Sequence, residues 1–120
     1  MFPSPSQTQR TFLEQECYLP ILLDTFLTAR KAEGRAKRTL DYYRDKLLPF
    51  LAFCDAQAVT QIQDMTPDLL RRFMLKLGET HNPGGQHGFY RAVRAFLLFV
   101  ESEEVLPGWR SPTRKVKAPR

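Results

Sequence analysis

Apolar residues recur at three- and four-residue spacing in four stretches of the chain, and no segment alternates with period two over a useful length. That pattern predicts amphipathic helices and no sheet. Leu19, Leu22, Leu23, Phe26 and Leu27 form the first stripe. Pro20 falls in its first turn, where the missing N–H costs nothing, and Gly34 takes the usual place after the last turn, near Glu33. The second stripe, Leu40, Tyr43, Leu47, Phe50, Leu51 and Cys54, predicts a helix from about Lys37 to Gln57. Pro49 lies inside it and removes one backbone hydrogen bond, at about 3 kcal/mol in a regular helix. The helix either kinks there or stops near Leu48 and restarts; the stripe stays in phase, which favours the kink. Arg38, Asp41, Tyr42 and Asp45 fall on the opposite face, where solvent or a partner is expected.

Thr66-Pro67-Asp68 is a helix start, with an N-cap, a first-turn proline and an acid near the positive end of the dipole. Leu69, Leu70, Phe73, Met74 and Leu77 follow as its buried face, and Gly78 closes it. His81-Asn82-Pro83-Gly84-Gly85 reads as a loop by composition. The fourth helix then runs from about Gln86 to Glu103, burying Phe89, Val93, Phe96, Leu97 and Val100. The predicted fold is all-α, a compact four-helix bundle spanning 17–106. A leader over 1–16 precedes it: residues 1–10, rich in Pro, Ser, Gln and Thr, are expected to be disordered, and Thr11 to Glu14 fits a capping box. A basic tail, 107–120, follows, with disorder expected from Pro112 onward.

Length and composition add bounds rather than a function. At 120 residues, 42% hydrophobic and 26% charged, the chain suits one globular domain with a core of its own. The net charge of +5 is unevenly placed. Arg110, Arg114, Lys115, Lys117 and Arg120 fall in the last eleven residues with no acid among them, leaving 13 of the 18 basic residues to face 13 acids. A tail of that kind either adds attraction to nucleic acid or an anionic surface, or is a solvated linker; charge alone leaves both open. Cys17 and Cys54 have no metal or redox spacing, and Cys54 completes an apolar stripe as a reduced core thiol. The apolar run from Leu47 to Cys54 is too short for a bilayer, and the N-terminus has no signal-peptide pattern. A cytoplasmic location without membrane contact is the expectation.

Catalytic chemistry finds no foothold. There is no His-x-x-x-His or Cys-x-x-Cys pair, no glycine-rich phosphate loop, and no carboxylate within a turn of His87. No metal, cofactor, small-molecule substrate or active site is expected. Binding has more to stand on. His87, Arg91 and Arg94 follow one another at i, i+4 and i+7, nearly opposite the fourth stripe, in a ridge without an acid until Glu101. Such a ridge can present arginines to guanine edges or phosphates. Arg35, Lys37 and Arg38 lead into the second helix, with Tyr42 expected exposed one turn beyond Arg38, and the helix start offers backbone N–H groups suited to phosphate. Asp41 and Asp45 dilute that second face, so spacing alone leaves DNA contact and an ordinary solvated face both open.

The order of these motifs resembles the N-terminal SAM-like, core-binding domain of phage integrases and other tyrosine recombinases. The resemblance rests on Thr39-Leu40-x-x-Tyr43-x-x-x-Leu47-x-x-Phe50-x-x-Phe53 in the second helix and Thr66-x-x-x-Leu70 at the entry to the third. It continues through Tyr90-x-Ala92-Val93-Arg94-x-Phe96-x-x-Phe99 in the fourth helix to Val116-Lys117-x-Pro119, which looks like the connector before the catalytic domain. It covers roughly residues 18–120. Ala36, Gly85 and Gly108-Trp109-Arg110 depart from the family's usual Ser, Thr and Asn-Pro. The family's catalytic His-x-x-Arg motif and tyrosine nucleophile have no counterpart here.

The resemblance implies a DNA-binding domain that grips duplex DNA at a recombination site during integration, as one half of a clamp whose cutting half is elsewhere. The chain is then not itself an enzyme but a piece of a longer recombinase. Arg91, Arg94 and His87 are expected to approach the groove. Arg35, Lys37, Arg38 and Tyr42 are expected at the DNA backbone, with Arg114, Lys115 and Lys117 added from the tail. The rival expectation is a helical protein–protein module docking other recombinase subunits, its ridge extended by apolar Leu98.

Overall fold

The first helix, α1 (Leu19–Ala32), stops where Gly34 adopts φ +84°. The Gly34 amide donates to the Lys31 carbonyl at 3.0 Å and the Arg35 amide to the Arg30 carbonyl at 3.2 Å, the paired bonds of a Schellman cap. The computed structural model that shows this describes residues 16–119. Three further helices follow: α2 (Lys37–Ala56), α3 (Pro67–Gly78) and α4 (Pro83–Ser102). Short 3-10 turns lie at Ile62–Asp64 and Pro112–Lys115. The fold is an all-α bundle, as the periodicity predicts. Among the described residues, extended pairing is confined to an isolated antiparallel bridge between Tyr18 and Gln61. There the Leu19 amide donates to the Thr60 carbonyl and the Ile62 amide to the Cys17 carbonyl, each at 2.9 Å. The expected leader, residues 1–16, lies outside the described residues except for Glu16, and so does the capping box at Thr11 to Glu14.

Two aromatic clusters join the helices. Phe26 of α1 meets Tyr43 of α2 at 4.9 Å and Phe96 and Phe99 of α4 at 5.6 and 5.3 Å, all edge-on. Phe73 of α3 meets Phe50 and Phe53 of α2 at 5.0 and 5.3 Å and Phe89 of α4 at 6.0 Å. Each such pair adds about 0.5–1.5 kcal/mol beyond the area it buries. Phe26, Leu47, Phe50, Cys54 and Phe96 are completely enclosed, and the predicted stripes account for most of the core. Tyr43, Leu51, Leu27 and Met74 are only half-buried, while Phe53 and Phe99, outside the predicted stripes, are buried.

α2 does not stop at Leu48 but continues through Pro49. Pro49 and Asp45 are both exposed, so the carbonyl that loses its helical donor can be satisfied by water. α4 starts three residues earlier than the composition suggests. Asn82 caps it by accepting from the Gly85 amide at 2.8 Å, and Pro83 occupies its first turn. The Asn-Pro pair outweighs the two glycines that follow it, because its cap and preset φ both favour a helix start.

The tail departs most from expectation. Ser111, Pro112, Thr113 and Val116 are buried, and residues 111–116 form a strap across α3 and α4. Ser111 and Thr113 hydroxyls bond one another at 2.6 Å, and Ser111 caps the turn by accepting from the Thr113 amide at 3.2 Å. The Tyr90 hydroxyl donates to the Val116 carbonyl at 2.9 Å. The disorder expected from Pro112 therefore does not hold through Val116, and the packed unit extends past the predicted boundary at 106. Polar side chains that satisfy each other can be buried without the cost of an orphaned hydroxyl.

Candidate nucleic-acid interface

α4 buries Phe89, Ala92, Val93, Phe96, Leu97, Phe99 and Val100, which span an arc of about 160° at 100° per residue. What remains outside is the ridge: Arg91 and Arg94 exposed, His87 and Leu98 half-buried. Six ion pairs occur among the described residues, and neither Arg91 nor Arg94 takes part in any of them. Their guanidiniums are therefore available to an outside anion.

Tyr42 is not exposed as its helical position suggests. It is half-buried against α4, and its hydroxyl donates to the Gly88 carbonyl at 2.7 Å. Burial raises its pKa above the ordinary 10.0; neighbouring Arg91 opposes that shift and Tyr43 adds to it. A Cβ at Gly88 would stand 3.4 Å from Lys46 Cε, so the absence of a side chain there lets α2 approach closely. The Lys46 ammonium sits 4.5 Å from the centre of the Phe89 ring, a cation–π contact that helical spacing did not foretell. Tyr42 thus serves the helix–helix contact, and the full exposure expected of it does not hold.

The other candidates divide. Arg35 lies 3.6 Å from Glu33, and Lys37 lies 3.5 Å from Asp41. Both pairs are exposed and contribute less than about 1 kcal/mol, so a phosphate could compete for either cation. Arg38 is exposed with no such partner among the described residues, and it lines a shallow depression with Asp41, Tyr42, Asp45 and Lys46. The two carboxylates make that depression mixed in sign. No side chain caps α2, whose N-cap residue is Ala36.

Arg114 is committed within the protein. It grips Glu101 through both Nε (2.9 Å) and Nη2, and the same carboxylate accepts from the Ser111 amide at 2.7 Å. Arg114 and the Ser111 amide hold the Glu101 carboxyl down at about 2, with the Arg110 charge helping. A clasped guanidinium of this kind is not a free DNA contact. Lys115 and Lys117 are exposed, Lys115 on the strap and Lys117 immediately after it.

Sequence reasoning also missed Arg71 on α3, whose Nη2 donates to the Lys115 carbonyl at 3.2 Å. The Arg71-Arg72 pair was the available signal; Arg72 turns back to Asp68 at 3.2 Å and Arg71 does not. Neither histidine has metal-site geometry. His81 Nδ1 lies 2.9 Å from Thr80 Oγ1 and 3.2 Å from the Leu77 carbonyl, at the end of α3. Among the described residues no group of three or more His, Cys, Asp or Glu side chains could hold a metal, and no helix is long and apolar enough to cross a membrane. Both cysteines are free and buried, with the Cys54 thiol pushed up to about 12 by burial. Compared with protein-family models, curated proteins and solved structures, the chain shows no match in any of the three.

Proposed function

We propose that the chain binds duplex DNA, and that it serves as the non-catalytic, core-binding half of a tyrosine-recombinase clamp. The observation that carries the DNA reading is the α4 ridge, where Arg91 and Arg94 project from the helix with no carboxylate partner among the described residues. Arg38 adds a third free cation from α2, the helix that Tyr42 fastens to α4. The recombinase context is supported by the order of the Thr39–Phe53, Thr66–Leu70 and Tyr90–Phe99 patterns along the chain. In this reading the domain holds the site while strand cleavage belongs to a separate catalytic domain. The competing docking-module reading rests on Leu98, a lone apolar side chain on the ridge that is already half-buried.

A salt titration of duplex binding tests the proposal. Neutralising three phosphates gives a slope of about −2.7 in log K against log salt, hence about a 40-fold loss from 50 to 200 mM. Replacing Arg91 and Arg94 together by Ala lowers the slope by about 1.8. Affinity that stays flat with salt, or a double variant that loses self-association while keeping DNA affinity, overturns it.

A further inference from the structure

The strap flanks α4 on the side away from α2. Tyr42 reaches α4 at Gly88, while Tyr90 fixes the strap through the Val116 carbonyl. At 100° per residue these attachment points stand about 160° apart round the helix, and His87, Arg91 and Arg94 fall between them. The ridge therefore has a wall on each side. On the α2 side stand Arg38 and Lys46. On the other, Arg71 is held against the strap backbone and lines one open groove with Lys115 and Lys117, whose apolar lining is Met74, Leu75, Val116 and Pro119. No acid lines that groove, and among the described residues none of its three cations pairs with a carboxylate.

Cations over an apolar floor suit a sugar–phosphate strand, with phosphates on the charges and deoxyribose on the floor. The geometry favours nucleic acid over an acidic peptide because the strap that carries Lys115 is tied to α4 at Tyr90, beside the ridge. A helix is about 10–12 Å across and the major groove about 12 Å wide, so walls flanking one helix can meet the two strands bordering one groove.

Building on the DNA-binding reading above, we infer that Arg71, Lys115 and Lys117 form a second phosphate-binding wall. It takes the strand opposite the one met by Arg38, and Glu101 is its positioning residue. Glu101 is an acid on an otherwise basic flank, so by charge alone it weakens binding to DNA. Its contribution is to clasp Ser111 and Arg114 and so hold the strap in register.

Glu101→Gln separates the two effects by sign. Simple charge counting predicts tighter duplex binding, since a negative charge goes and Arg114 is freed. Loss of the clasp predicts greater mobility of the 111–117 amides in 15N relaxation of the free protein. It also predicts binding about eightfold weaker at 0.1 M salt for each phosphate that the wall no longer neutralises. Arg71→Ala with Lys117→Ala, both at exposed positions, is expected to lower the salt slope by about 1.8, with a loss of thermal stability no larger than one exposed hydrogen bond, Arg71 to the Lys115 carbonyl. Tighter or unchanged binding by Glu101→Gln, or an Arg71/Lys117 double variant with the wild-type slope, overturns the second wall. Should Arg91 and Arg94 still govern the slope in that case, the ridge stands without the wall. If the unaltered chain does not bind duplex at all, both fall. Polyglutamate binding as tightly as duplex at the same salt also overturns the wall as a DNA site.

Discussion

Tyr42 and Gly88 are joined by a 2.7 Å hydrogen bond from a phenol to a helix carbonyl, and the bond crosses the contact between α2 and α4. Gly88 also keeps its place in the α4 backbone ladder, so its carbonyl is not orphaned if the phenol is lost. Tyr42→Phe is therefore expected to cost about 0.5–1.5 kcal/mol, the ordinary net value of one hydrogen bond. It should appear as a lower urea midpoint with an unchanged m-value.

Arg91 and Arg94 are exposed and make no ion pair among the described residues. Replacing either by Ala should move stability by no more than about 0.5 kcal/mol. Calorimetry beside the DNA titration checks this. A large fall in melting temperature would show that the ridge serves the fold.

The pH dependence has two limbs. Glu101 is held at about 2 against an ordinary 4.5, chiefly by its bonds from Arg114 and Ser111. A depressed carboxyl favours the folded state above its unfolded value, so this contribution is present above pH 4.5 and lost as pH falls toward 2. Cys54, at about 12 against 9.0, works in the other direction. Its contribution is full below pH 9 and lost as pH rises toward 12, and the raised Cys17 and Tyr42 act in the same sense. Urea midpoints measured across pH should form a plateau between the limbs, and Glu101→Gln should flatten the acid one.

Ala58 sits just after α2 with φ +61°, donating to the Asp55 carbonyl, while Val59 donates to Cys54. This is a Schellman cap with a Cβ where glycine is usual. The left-handed conformation costs about 1–2 kcal/mol for such a residue. Glycine returns about 0.4–1 kcal/mol of that through the unfolded chain. Ala58→Gly should thus raise stability by about 0.5 kcal/mol, measured by thermal melting.

The bundle was legible because its stripes bury large apolar side chains at helical spacing, and Leu47, Phe50, Phe96 and Leu97 all lie in the core as expected. Features set by a neighbour were not. A helical wheel places Tyr42 opposite the second stripe but cannot say that α4 stands there. Arg114 is basic in any reading, and only the fold brings Glu101 to it. Ser111 and Thr113 look like linker residues because hydropathy ignores that their hydroxyls satisfy each other. The α4 start was legible in Asn82-Pro83, and the glycine count obscured it.

The bridge between Tyr18 and Gln61 has a kinetic side. It stitches the entry to α1 onto the connection between α2 and α3, far along the chain, and it does so with only a few backbone bonds. Closing so long a loop costs entropy before those bonds repay it. The α1–α2 and α3–α4 pairs are each joined by a short loop and need no such closure. The bridge is accordingly expected to close only after α1 has folded back on α2, as a lock across the open end of that helical hairpin.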